Sequence, residues 1–251
     1  IVAVGDIEER RLLAALDFLD RLPAAPAPAR EQPDVPQTSS TVLYLVDKPG
    51  AAQSEIRIGY VTDQPYDATG EFFKTGLMNY VLGGSFNSRI NLNLREDKGY
   101  TYGARSNFSS TKIPGPFTAS ASVRTDTSTD SVRQFVNEIV AYRDAGITEQ
   151  ELAFMRSSVA QRDALSYETM AQKAGFLGRI IEYDLPADFV TQQNTIINTI
   201  TQQQINPLAQ QQLPLENMLI LVVGDKAVIG ESLQELGYPI VELDTMGRAV
   251  E

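Results

Sequence analysis

The sequence predicts an α+β fold, with a mainly antiparallel sheet and helices packed on one face. Three observations carry this. Alternating apolar strands pair early in the chain. Helical periodicity dominates the stretch that follows. Short apolar strands return near the end. The chain has 251 residues, 43% of them hydrophobic and 21% charged, which is enough for one large domain with a packed core, or for one domain plus a fragment of another.

The elements follow in order. Ile1–Asp6 reads as an apolar strand ending in Gly-Asp, and 8–22 as a helix with Leu12, Leu13, Leu16 and Leu19 on one face. Residues 23–38 contain Pro23, Pro26, Pro28, Pro33 and Pro36. Proline fixes φ and donates no backbone hydrogen bond, so this reads as a semi-extended linker and a boundary. Strands are predicted over 41–46 and 54–61, where Ile56, Ile58 and Tyr60 alternate with Glu55 and Arg57. A helix over 72–82 carries Phe73, Leu77 and Val81 and stops at Gly83-Gly84. Ser85 caps a second helix running to about Asp97, with Phe86, Ile90 and Leu94 as its apolar row. Segments 102–110 and 117–124 read as a hairpin around Pro114-Gly115-Pro116. Helical pattern then runs from Thr129 to Ala145, with Thr148 and Glu151 as a capping box for the next helix. It continues through Ile181 and again over 186–213. A strand over 217–223, a helix over 227–236 closed by Gly237, and a short strand over 240–243 complete the chain.

Composition excludes several functions. The formal net charge of −11 repels phosphate backbones, so nucleic acid is not an expected partner. No apolar run approaches the ~18 residues of a membrane span, and no basic-then-apolar leader opens the chain. There is no Cys and no His. That removes disulfides, thiol nucleophiles, the Ser-His-Asp triad and every His or Cys zinc site. No acidic cluster has the spacing of a calcium loop.

One stretch, 83–104, carries candidate chemistry. A helix delivers Arg95 near its C-terminal end, Gly99 turns the chain, and Tyr102 starts a strand. Seven residues apart across a turn, the two side chains can converge. The Arg fork and the Tyr hydroxyl then suit a peptide carbonyl whose oxygen gains charge during hydrolysis. The residues also admit a structural reading, because a cation in the last turn of a helix complements its dipole. Asn87, Asn91 and Arg95 form a polar i, i+4, i+8 row, expected to face outward while the apolar row packs inward. Gly83-Gly84-Ser85 lacks the Gly-Lys-Ser/Thr ending of a phosphate loop.

Ser88-Arg89 after the glycine turn, and Leu94-Arg95-Glu96-Asp97-Lys98-Gly99-Tyr100-Thr101-Tyr102, resemble the second-domain signature of the insulinase, pitrilysin and mitochondrial processing peptidase family of zinc metallopeptidases. The terminal strand ending in Gly224-Asp225 fits as well, so the likeness covers nearly the whole chain. It implies a metallopeptidase-half fold of the processing-peptidase type. It implies a catalytic zinc in a missing N-terminal half, on a His-x-x-Glu-His helix, and no cofactor in this chain. Carried over residue by residue, Arg95 and Tyr102 are the catalytic and substrate-binding pair that reaches the substrate carbonyl. The implied partners are the zinc-bearing half, as the same protein or a separate subunit, and a peptide substrate. The implied compartment is the periplasm or cell envelope of a bacterium. With no His, this chain alone is expected to bind no catalytic zinc and to cleave nothing.

Ile1–Asp6 echoes Ile220–Asp225 at an offset of 219, four of six positions being identical. Hence 1–22 is expected to be the closing strand and helix of a preceding homologous domain, 23–38 a linker, and 39–251 the complete peptidase-like domain. Together with an opening at Ile1, this suggests a piece of a longer protein. Two other functions stay open: a catalytically silent, structural peptidase-like subunit, and an independent hydrolase using paired carboxylates. The 32 acidic residues single out no pair for the latter.

Overall fold

The computed structural model describes residues 1–26, 34–36, 38–164 and 167–250. Residues 27–33 and 37 of the expected linker therefore lie outside the described residues, as do 165 and 166 within the long helical stretch.

The chain begins without a strand. Residues 1–8 precede α1 (Glu9–Leu16), which tightens into a 3₁₀ turn over Asp17–Arg21. The expected strand Ile1–Asp6 is corrected here. An apolar run becomes a strand only where a sheet edge accepts its hydrogen bonds, and the described sheet offers it none. No residue of α1 is buried.

The sheet is built from β1 (Val42–Asp47) and β2 (Gln53–Val61), then α2 (Glu71–Asn79) and α3 (Arg89–Asn91), then β3 (Ala104–Phe108) and β4 (Pro116–Arg124). The helical stretch is α4 (Ser128–Ala145), α5 (Glu149–Ala164), α6 (Met170–Tyr183), α7 (Phe189–Thr199) and α8 (Gln202–Gln212). It is followed by β5 (Leu219–Gly224), α9 (Lys226–Gln234) and β6 (Ile240–Leu243).

Among the described residues, six strands run in the order β3-β4-β2-β5-β1-β6. The β3-β4, β4-β2 and β2-β5 pairs are antiparallel, as the alternating strands predict. The β5-β1 and β1-β6 pairs are parallel, so the sheet is mixed. The chain leaves β5 through α9 and returns over the sheet, so β6 enters in the same direction as β5.

One face of the sheet is the core. Ile56 and Ile58 of β2, Phe117, Ala119 and Val123 of β4, and Ile220 and Val222 of β5 are buried there with Leu43 and Leu45. Val132, Phe135 and Ile139 of α4, a helical i, i+3, i+7 set, join the same core, as do Met78 of α2 and Ile90 of α3. The Thr148–Glu151 capping box forms: Glu151 Oε2 accepts from Thr148 N at 2.8 Å, and Thr148 Oγ1 accepts from Glu151 N at 3.2 Å. The other sheet face stays open, and on its β2 and β3 strands Glu55, Arg57, Arg105 and Asn107 are exposed. Among the described residues, no helix is long and apolar enough to cross a membrane.

Candidate functional site

The 83–104 stretch folds against the β3 end of the sheet. After α2 the chain widens into a π turn over Tyr80–Gly84. Gly83 is required there, because a Cβ at this position would come within 2.4 Å of the Ser106 amide of β3. Asn79 fastens the approach: its amide donates to Ser106 O at 2.9 Å, and its Oδ1 accepts from Ser106 Oγ at 2.5 Å.

The helix that follows starts later than its sequence suggests. Ser85 and Ser88 span a turn closed by Ser88 N donating to Ser85 O at 3.2 Å, and α3 begins at Arg89. Ser88 therefore holds the cap position in place of Ser85. Phe86 sits in that turn rather than on the helix, so helical spacing does not place it with Ile90 and Leu94. Those two are fully buried, while Phe86 is 64% exposed.

The polar row is corrected as well. Asn91 is buried, because its amide donates to Phe86 O at 2.7 Å and its Oδ1 accepts from Ala104 N at 2.9 Å. It ties the glycine turn to the start of β3. Arg95 lies in a π-helical segment, Leu92–Asp97, after which Tyr100 N donates to Leu94 O at 2.9 Å and Gly99 turns with φ +64°. Single π turns of this kind occur often at functional sites.

The Arg95 guanidinium stacks 4.3 Å from the centre of the Phe86 ring. Its Nη1 lies 3.3 Å from Glu96 Oε1, yet this buried atom forms no hydrogen bond among the described residues. Tyr102 does not open β3, which starts at Ala104. Thr101 Oγ1 accepts from Gly103 N at 3.1 Å and donates to Ser122 O at 2.7 Å, holding 101–103 as a turn off the ladder. The Tyr102 ring is left 94% exposed. Phe86 links the pair: it carries Arg95 on its ring and lines the same cleft as Tyr102, a space of about 540 Å³ over the open face of β2, β4 and β3.

Arg89, the other arginine of the motif, does different work. Its Nε donates to Glu151 Oε1 at 2.6 Å, and its Nη2 donates to Glu151 Oε2 at 2.7 Å and to Gly146 O at 3.0 Å. Its guanidinium also stacks 4.7 Å from the Tyr142 ring. Burial pushes the Glu151 carboxyl up, but the Arg89 and Thr148 hydrogen bonds outweigh it and hold the group below its ordinary range. Beside the turn, Tyr100 donates to Asp130 Oδ2 at 2.9 Å, which raises the phenol and helps lower the carboxyl.

Sequence reasoning missed Asn91 as a clamp and Phe86 as a platform. An aromatic directly after Gly-Gly-Ser, in a turn rather than a helix, was the available signal for the second. The zinc implied by resemblance does not fit this chain's own residues. There is no His or Cys in the sequence, and among the described residues no cluster of three Asp or Glu stands ready to hold a metal.

Residues 1–159 match the family described as the peptidase M16 inactive domain. The chain is 26% identical over 238 residues to the non-peptidase homolog YmxG of Helicobacter pylori, covering 90% of this chain and 52% of that protein. Among solved structures it resembles the peptidase M16 inactive domain from Pseudomonas fluorescens, with TM-score 0.74, 24% identity, and 88% of this chain and 52% of that one covered. It also resembles the periplasmic protease PqqL from Escherichia coli, with TM-score 0.65, 19% identity, and 88% and 25% covered. The chain thus spans about half the length, or less, of these relatives.

Proposed function

Because the chain belongs to the peptidase M16 inactive-domain family, we propose that it is the non-catalytic half of a zinc metalloendopeptidase. In this reading Arg95 and Tyr102 act on a substrate bound against a zinc-bearing N-terminal half, which belongs to the same protein or to a partner subunit. The exposed Tyr102 in the cleft that Phe86 also lines, with Arg95 stacked on the Phe86 ring, is the observation that carries the reading. Among the described residues Tyr102 has no hydrogen-bond partner, and the one carboxylate paired with Arg95 is its half-exposed neighbour Glu96, so both groups can turn to a carbonyl oxygen gaining charge. Nothing in this chain performs the metal's share of the reaction. Its own residues bind, orient and donate. The division into 1–22, a linker over 23–38 and a domain over 39–251 belongs to the same proposal, as does a periplasmic or envelope location, which the PqqL likeness supports.

The test is turnover after reassembly with a zinc-bearing half. Arg95→Ala and Tyr102→Phe should each lower kcat by ~10–10³ with zinc content unchanged, since the donors act in the transition state. Full activity in both would sink the catalytic role. The name of the Helicobacter pylori relative, a non-peptidase homolog, favours a second reading, in which this half is catalytically silent and structural. A reassembled protein that holds zinc yet cleaves no peptide would select it.

A further inference from the structure

The open sheet face carries charges that the proposed role leaves unused. In the β2-β4-β3 ladder, Arg57 stands opposite Ser120 and Ser120 opposite Arg105. Two arginines therefore flank one serine in a single row across three strands, their backbones roughly 10 Å apart at ordinary strand spacing. Both are exposed and both line the cleft that holds Tyr102 and Phe86. Neither forms an ion pair among the described residues. Among the described residues, the one carboxylate lining the cleft is Glu55, which sits two positions before Arg57 and accepts a hydrogen bond from the Ser122 hydroxyl.

This arrangement runs against the rest of the molecule, whose formal net charge is −11. Distant acidic groups are screened over about 8 Å at physiological salt, so a ligand in the cleft meets chiefly the two guanidiniums and the single Glu55 carboxylate, which leaves a net positive charge. A guanidinium presents a planar fork matched to a carboxylate, and Ser120 adds a neutral donor between the two forks. An extended peptide sends alternate side chains toward the sheet, so one acidic side chain can enter the row while the side chain two positions along meets Phe86 or Tyr102.

We propose that Arg57, Ser120 and Arg105 form an anion subsite that receives an acidic side chain of an extended peptide in the cleft. The proposal rests on reading this face as a substrate-binding wall, and it names a substrate class: peptides with Asp or Glu near the reacting bond.

The test is fluorescence anisotropy on this chain, with a labelled hexapeptide bearing one central glutamate and its glutamine twin. At low salt the glutamate peptide should bind about three- to tenfold tighter, with the gap closing to within about twofold near 0.5 M NaCl. The double variant R57Q/R105Q should abolish the gap while keeping the affinity of the glutamine twin, and R57K/R105K should retain most of it. Equal affinity of the two peptides overturns the subsite and leaves the peptide-wall reading standing. A gap that survives in R57Q/R105Q overturns it too, by placing the charge selection elsewhere. Absence of binding by either twin overturns the subsite in this chain, and the proposed role is then judged by the Arg95 and Tyr102 variants alone.

Discussion

Arg89 and Arg95 lie six residues apart on one helical stretch, and their surroundings differ in almost every respect. Arg89 is clamped by both oxygens of Glu151, by the Gly146 carbonyl and by the face of Tyr142. Arg95 rests on an exposed ring, beside a half-exposed neighbouring acid, with one buried nitrogen lacking a hydrogen bond. The first end fixes where the helix sits against the α4–α5 corner. The second end is held by a ring and a solvent-exposed ion pair rather than by a buried carboxylate. Motif membership alone therefore does not assign a role, since the same residue type is a structural clamp at one end and an available donor at the other.

The largest effect expected from this contrast is on stability at the clamped end. Arg89→Ala leaves the Glu151 carboxylate and the Gly146 carbonyl without their donor. The pair is mostly but not fully buried, with side chains 20% and 24% exposed, so the loss should be about 2–3 kcal/mol, short of the full cost of breaking a buried pair. Thermal denaturation should show a midpoint lower by roughly 5–10 °C. A shift under about 2 °C would erase the distinction between the two ends.

Acid should reproduce part of that loss. The Glu151 carboxyl is held below its ordinary value in the folded chain. Its contribution is therefore complete above the unfolded carboxylate range, near pH 4.3, and disappears as pH falls through the lower folded value. Arg89 keeps its charge throughout. Denaturant midpoints taken between pH 6 and pH 3 should fall more steeply for the native sequence than for Glu151→Gln. Parallel curves would mean that the pair contributes nothing to acid sensitivity.

Asn91→Ala comes next, at about 1–2 kcal/mol, because it orphans the Ala104 amide and the Phe86 carbonyl together. Amide exchange at Ala104 should quicken more than exchange in the middle of β4. A uniform change would argue against Asn91 as a local clamp on the Tyr102 turn.

Where sequence and structure part company, the cause is local. The β2 and β4 strands were legible because period-two alternation is imposed by one buried face. The parallel end was not. β5 and β1 read only as short apolar runs, and nothing in such a run states the direction of its neighbour. Ile1–Asp6 has the composition of a strand but no edge to join. Arg95 and Tyr102 were singled out by likeness to a family motif. Their setting was not, because it depends on a serine turn that takes Phe86 off the helix and on an asparagine whose amide is satisfied by backbone groups on either side. Side-chain-to-backbone bonds of that kind break helical periodicity without leaving a periodic signal of their own.

The smallest stability effect is the one that sharpens the comparison most. Arg95→Ala removes a stack on a ring that is itself 64% exposed, and an ion pair with the adjacent Glu96, whose side chain is 51% exposed. Exposed cation-ring contacts contribute ~0.5–1 kcal/mol and exposed ion pairs ~0–1 kcal/mol. Removing the side chain also relieves its unpaired buried nitrogen, which offsets part of that loss. The net change in unfolding free energy should therefore stay below about 1 kcal/mol, with the far-ultraviolet spectrum and the acid sensitivity unchanged. A loss approaching that of Arg89→Ala would make Arg95 a second clamp and remove the structural case for its availability. A near-neutral result, joined to lowered turnover in the protein reassembled with a zinc-bearing half, would assign the two arginines of one motif to separate tasks: one to the fold and one to the substrate.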